Sequence, residues 1–113
     1  MQKEGNNDAI ASYLTQIYRL QVQMAALNKP LIAVAPGHSF NSGATLLAAS
    51  GIPLVNNGSK LAFNEALFGF VPHAGATYYL SRLPGEFGTF LALTGMRVDG
   101  SDAIKLGLAH GAV

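Results

Sequence analysis

The chain has 113 residues, a formal net charge of +1 at pH 7, 50% hydrophobic and 12% charged side chains, and no cysteine. That size and apolar content suit one domain, 1–113, with a buried core, and exclude a charge-dominated unfolded chain. The missing cysteine excludes a disulfide framework, a thiolate nucleophile and a cysteine-ligated metal, and the scattered lysines and arginines form no basic stripe for nucleic acid.

No apolar run approaches the ~20 residues that a membrane-spanning helix needs. The opening Met1–Asp8 is polar. It has neither the apolar segment of a secretory signal nor the arginine-rich pattern of a transit peptide. If the protein works in an organelle, the expectation is that its address is not carried here.

Ile10, Tyr13, Leu14, Ile17, Leu20, Met24 and Leu27 recur at spacings of three and four, which predicts a helix with one apolar stripe and Asp8 as its cap. Asn28-Lys29-Pro30 ends it. Leu31 to Ala35 reads as a short strand buried on both faces. Pro36-Gly37 breaks that strand, and His38 to Gly43 reads as a loop leading into a short buried helix over Ala44 to Ala49, whose first amides face the loop. Ile52 to Val55 predicts a strand that Pro53 makes irregular or an edge. A turn at Asn56-Asn57-Gly58 and a strand over Lys60 to Phe63 follow.

Further on, Thr77 to Leu83 fits a short helix. Phe87 to Thr94 fits another, closed by Gly95. Ser101 reads as the cap of a last helix from Asp102 to Leu106, with Gly107 just past its end. Strands alternating with helices predict an α/β layout with a largely parallel sheet. These features alone name no reaction.

Three blocks in one order are more specific. The first is Asn28-Lys29-Pro30-Leu31-Ile32-Ala33-Val34-Ala35-Pro36-Gly37 with Gly43 beyond it. The second is Leu61-Ala62-Phe63-Asn64-Glu65-Ala66 with Gly69 and Pro72-His73-Ala74-Gly75. The third is Leu93-Thr94-Gly95-Met96-Arg97 with Asp102-Ala103 and Gly107-Leu108. Together they resemble the signature segments of the crotonase superfamily, the enoyl-CoA hydratase/isomerase group. Phe68-Gly69-Phe70-Val71-Pro72, the run Tyr78 to Gly85 and Phe90 to Gly95 resemble most its 3-hydroxyisobutyryl-CoA hydrolase branch.

The resemblance implies a crotonase-like spiral of β-β-α units, of which this chain is the central fragment. It implies coenzyme A thioesters as substrate with no separate cofactor, homo-oligomers or larger assemblies, and mitochondrial placement. It also implies chemistry in which backbone N–H groups hold the thioester oxygen while carboxylates move protons or activate water.

By that resemblance Glu65 matches the catalytic glutamate, and Ser42 is the position whose N–H faces the thioester oxygen. His73 falls where the hydrolase branch has an aspartate, and a histidine there can activate water. Each has a plain alternative: a solvated or paired loop glutamate, a serine that crowds the acyl group, a polar surface histidine. Asn41-Ser42-Gly43 stands where the family has three glycines, although asparagine tolerates left-handed backbone better than most residues. Thr45 occupies the place of the second glutamate of hydratases and cannot act as a general base at neutral pH.

Outside these blocks, His38 and His110 have no partner at a ligand spacing and are assigned no metal. Lys29 is placed to meet a CoA phosphate or simply solvent, while Gly43 and Gly75 read as backbone necessities. Two functions stay open. One is an acyl-CoA hydrolase or hydratase/isomerase-like enzyme, favoured by Glu65. The other is a degenerate crotonase kept as a structural subunit of an assembly such as a mitochondrial ribosome, favoured by Asn41-Ser42, Thr45 and His73.

Overall fold

A computed structural model of the chain describes residues 4–113; Met1, Gln2 and Lys3 of the polar start lie outside the described residues. Helix α1 runs over Glu4–Ala25, so Asp8 lies inside it and is not its cap. The helix leans on the rest of the fold along one narrow line. Leu14, Ile17 and Met24 turn inward, whereas Ile10, Tyr13, Leu20 and Leu27 of the expected stripe stay exposed.

The chain then coils. Strands β1 (Ile32–Ala35) and β2 (His38–Phe40) lead into α2 (Ser42–Ala49), and β3 (Ile52–Val55) and β4 (Lys60–Ala62) lay a second layer on the first. β1 pairs in parallel with β3, matching Ile32 to Ile52, and β2 pairs in parallel with β4, matching His38 to Lys60. Each turn of the coil therefore gives one strand to each of two sheets, ordered β1-β3-β6 and β2-β4-β5. Strand β5 (Val98–Asp99) joins antiparallel to β4, and β6 (Gly111–Ala112) joins parallel to β3. This is the α/β spiral of stacked β-β-α units, with mixed pairing in the second sheet.

Three expectations change here. His38 to Phe40 is a strand and not loop, because its backbone finds a partner in Lys60 to Ala62. β1 is buried on one side only: Ala35 is inside, while Ile32 and Val34 are 59% and 51% exposed, since nothing among the described residues covers them. Pro53 sits in the central strand of its sheet. The N–H and C=O of one strand residue point to the same neighbour, and the Pro53 carbonyl accepts from the His110 N–H at 2.8 Å. The missing donor thus faces the end of the sheet where β6 has not yet begun, and no ladder bond is lost.

The corner between β3 and β4 is held by one buried serine. Ser59 Oγ accepts from the Asn56 N–H at 2.7 Å and donates to the Ala35 carbonyl, joining the corner of one coil to the strand of the other. Gly100 lies against it; a Cβ there would stand 2.3 Å from the Asn56 carbonyl oxygen. Val55, Leu61 and Phe63 fill the centre with Thr45 and Ser59.

After a short 3-10 turn over Glu65–Phe68 come α3 (Ala76–Leu80), α4 (Phe87–Thr94) and α5 (Gly100–Leu106). α3 is shorter than expected and begins one residue earlier. Strand β4 stops at Ala62, with Phe63 buried just beyond it. Gly95 and Gly107 end α4 and α5 in left-handed conformation, as their positions predict. Ser101 is inside α5 and caps nothing; Asp99 holds the cap position and makes no side-chain bond there.

Candidate functional site

α2 begins at Ser42 because Asn41 turns the chain with φ 53° and ψ −118°. Asparagine at such a position commonly caps the helix with its own side chain, yet Asn41 does not. The Asn41 carbonyl takes the first intrahelical bond, from the Thr45 N–H at 3.0 Å, and also accepts from Thr45 Oγ1 at 3.2 Å. The first-turn amides of Ser42, Gly43 and Ala44 precede any intrahelical acceptor, and the helix dipole leaves partial positive charge there. Thr45, fully buried, serves this backbone turn with both its N–H and its hydroxyl.

The Asn41 side chain points elsewhere. Its Oδ1 accepts from the Asn64 N–H at 2.9 Å, while the Asn41 N–H donates to the Ala62 carbonyl at 2.8 Å. The start of α2 is thereby joined to the exit of β4. Ser42 follows one partner of this junction and Glu65 follows the other, so two of the three expected site residues flank one pair of hydrogen bonds.

Glu65 opens the 3-10 turn and is 4% exposed. Among the described residues neither of its carboxylate oxygens has a hydrogen-bond partner. A buried polar group left so is costly to the fold, and its occurrence calls for a reason. Among the described residues Glu65 is thus neither solvated nor paired.

His73 packs against α1. It is half-buried, meets Tyr18 of α1 edge-to-face at 6.1 Å, and its Nδ1 is buried without a partner among the described residues. Among the described residues no hydrogen bond links it to Glu65 or Ser42. The following Ala74 has φ 55° and Gly75 φ 88°, so the turn after His73 is strained at one residue and requires glycine at the next. Gln21 of α1 adds a further buried atom without a partner among the described residues, its Nε2, and its Oε1 lies 4.0 Å from where a Cβ on Gly75 would stand. Gln21 carried no sequence signal; it reads as one polar residue beside an apolar stripe.

Gly43 corrects an expectation. Its φ is ordinary and a Cβ there would meet only the Ser39 Cβ at 4.0 Å, so the backbone does not require glycine. It lines an open apolar groove of ≈ 420 Å³ with Leu20, Met24, Ala33 and Leu46. Gly75 is the backbone necessity of the two. Lys29 is exposed.

The enoyl-CoA hydratase/isomerase family profile matches residues 1–113. The chain belongs to the enoyl-CoA hydratase/isomerase family. Within it the chain stands near the 3-hydroxyisobutyryl-CoA hydrolases: it is 34% identical over 106 residues to 3-hydroxyisobutyryl-CoA hydrolase 1 of Arabidopsis thaliana, covering 94% of this chain and 28% of that protein. It is 36% identical over 106 residues to the small ribosomal subunit protein mS47 of the same plant, covering 94% of this chain and 26% of that one. Among solved structures, an enoyl-CoA hydratase from Rhodobacter sphaeroides superimposes with a TM-score of 0.82 at 34% identity, covering 86% of this chain and 29% of the other.

A family protein from Silicibacter pomeroyi superimposes over the whole chain with a TM-score of 0.86 at 21% identity, a likeness of fold. The chain thus spans about a quarter of the length of these curated relatives. Some relatives carry a mitochondrial designation, among them the 3-hydroxyisobutyryl-CoA hydrolase of Xenopus tropicalis.

Proposed function

We propose that this chain supplies the acid–base and oxyanion segment of an acyl-CoA thioester hydrolase, most like 3-hydroxyisobutyryl-CoA hydrolase, acting in mitochondria. The observation that carries the proposal is Glu65: a carboxylate 4% exposed, with both oxygens unpartnered among the described residues, one residue beyond the bond that joins its loop to the Asn41 side chain at the start of α2. An unsatisfied buried carboxylate is a poor structural element and a serviceable proton carrier.

In this mechanism the Ser42 N–H donates to the thioester oxygen as negative charge develops on it. Glu65 takes a proton from water as the water oxygen bonds to the thioester carbon. The carbon–sulfur bond then breaks, and Glu65 returns the proton to the departing CoA sulfur, giving a free acid and a thiol. His73 orients or polarises a water through its free Nδ1. No cofactor beyond the CoA of the substrate enters.

The test uses the full-length protein and thiol release from 3-hydroxyisobutyryl-CoA. Glu65→Gln abolishes turnover and leaves thioester binding nearly intact. Unchanged turnover in that variant removes Glu65 from the chemistry.

A second reading has its own support in the 36% identity to mS47 and in Asn41, Ser42, Thr45 and His73. In it the spiral is retained as a structural subunit of a large assembly. Co-migration of the native protein with a particle far larger than an oligomer of its own, together with absent thioester turnover, favours this reading over the enzyme.

A further inference from the structure

We infer that Asn41 is a positioning residue that sets the separation between the Ser42 amide and the Glu65 carboxylate, an inference that rests on the thioester-processing reading above. Its backbone lies at φ 53°, ψ −118°, where glycine is at home and a side chain is strained. A residue kept there despite the strain has a use for its side chain. That side chain ignores the helix end beside it and reaches across the fold, 23 positions along the chain, to the Asn64 N–H at 2.9 Å.

Two bonds from one residue make this a clamp. The Asn41 N–H holds the Ala62 carbonyl at 2.8 Å and Oδ1 holds the Asn64 N–H, so the segment 62–64 is gripped at both ends. The other side of Asn41 is equally fixed, because its carbonyl receives both the N–H and Oγ1 of Thr45. Glycine would satisfy the backbone angle and leave the Asn64 N–H without this acceptor. Ser42 and Glu65, one residue beyond each end, would then lose their common reference. Fine placement of reacting groups is worth much more in rate than in stability.

The experiment compares Asn41→Gly and Asn41→Asp in the full-length protein. Asn41→Gly is expected to fold and melt within a few degrees of wild type, since glycine suits the angle. Its kcat is expected to fall about tenfold or more with KM changed less than about twofold, the signature of lost placement. Asn41→Asp retains an oxygen for the Asn64 N–H and is expected to recover most of that kcat. Amide exchange at Asn64, followed in parallel, is expected to quicken in Asn41→Gly and not in Asn41→Asp.

Unchanged kcat in Asn41→Gly, or an equal fall in both variants, overturns the positioning role. If the wild-type protein turns over no thioester, the proposed function fails and the catalytic role of Asn41 fails with it. The clamp is then judged by exchange alone, and unchanged exchange at Asn64 in Asn41→Gly overturns it too.

Discussion

Gly88 of α4 lies so near Leu80 of α3 that a Cβ on Gly88 would stand 1.8 Å from the Leu80 carbonyl oxygen. The obstacle is backbone, so no rotamer change relieves it. The two helices touch without a side chain between them, and this contact sets how the segment after the site folds back.

Gly88→Ala therefore forces α3 and α4 apart. Overpacking usually costs about 1–3 kcal/mol, and a backbone clash this deep belongs at or above the upper end. Denaturant unfolding should show a loss of about 3 kcal/mol or failure to fold. A change below about 1 kcal/mol would mean that the helices separate freely.

Gly43→Ala should behave in the opposite way. A Cβ has room there and the position lies in the first turn of a helix, so stability should hold or rise by about 0.5 kcal/mol. If the groove above the α2 amides takes the acyl thioester, the added methyl narrows it and kcat/KM falls. A stable variant with unchanged kcat/KM places the substrate elsewhere.

Ser59→Ala removes one oxygen that serves two backbone groups, the Asn56 N–H and the Ala35 carbonyl. Both are left without their bond, the Ala35 carbonyl in the buried core and the Asn56 N–H in a half-buried corner. The expected loss is about 1–3 kcal/mol, read by thermal or denaturant unfolding. A loss near zero would show that other groups take up these bonds.

How much of this could be seen in the residues themselves depends on what kind of information each feature carries. The glycines ending α4 and α5 were legible because a left-handed end is a local demand. Strand β3 and helix α4 were legible from their short apolar runs. Strand β2 was not, since His38-Ser39-Phe40 has no strand pattern and becomes one only by pairing with β4. Burial of β1 on both faces was misjudged because Ile32 and Val34 promise a covering layer that sequence cannot locate. Glu65, Ser42 and His73 are singled out by family resemblance alone; the Asn41–Asn64 bond was beyond reach, because nothing local distinguishes an asparagine that caps from one that reaches across the fold.

Tyr79 gives a pH signature. Burial, with the neighbouring Tyr78 adding to it, raises the Tyr79 phenol above its ordinary value of about 10. The neutral phenol is thus favoured in the fold relative to the unfolded chain. Its contribution to stability is fully present below about pH 10 and is lost as pH rises through the folded value. Denaturant unfolding from about pH 8 to pH 11 should show an alkaline loss that shrinks in Tyr79→Phe, with phenolate absorbance tracking it. An identical alkaline loss in the phenylalanine variant would assign it to other groups.

The burial of Glu65 makes a prediction about stability as well as rate. A carboxyl group with neither oxygen bonded costs the fold, and removing its capacity for charge while keeping its shape lessens that cost. Glu65→Gln should be at least as stable as wild type, with a gain of up to about 1–2 kcal/mol. A structural glutamate would give the reverse sign, a loss on replacement, because its bonds would be broken. Stability gained together with turnover lost would mark Glu65 as a group held for chemistry at the expense of the fold. Stability lost with turnover unaffected would mark it as part of the scaffold.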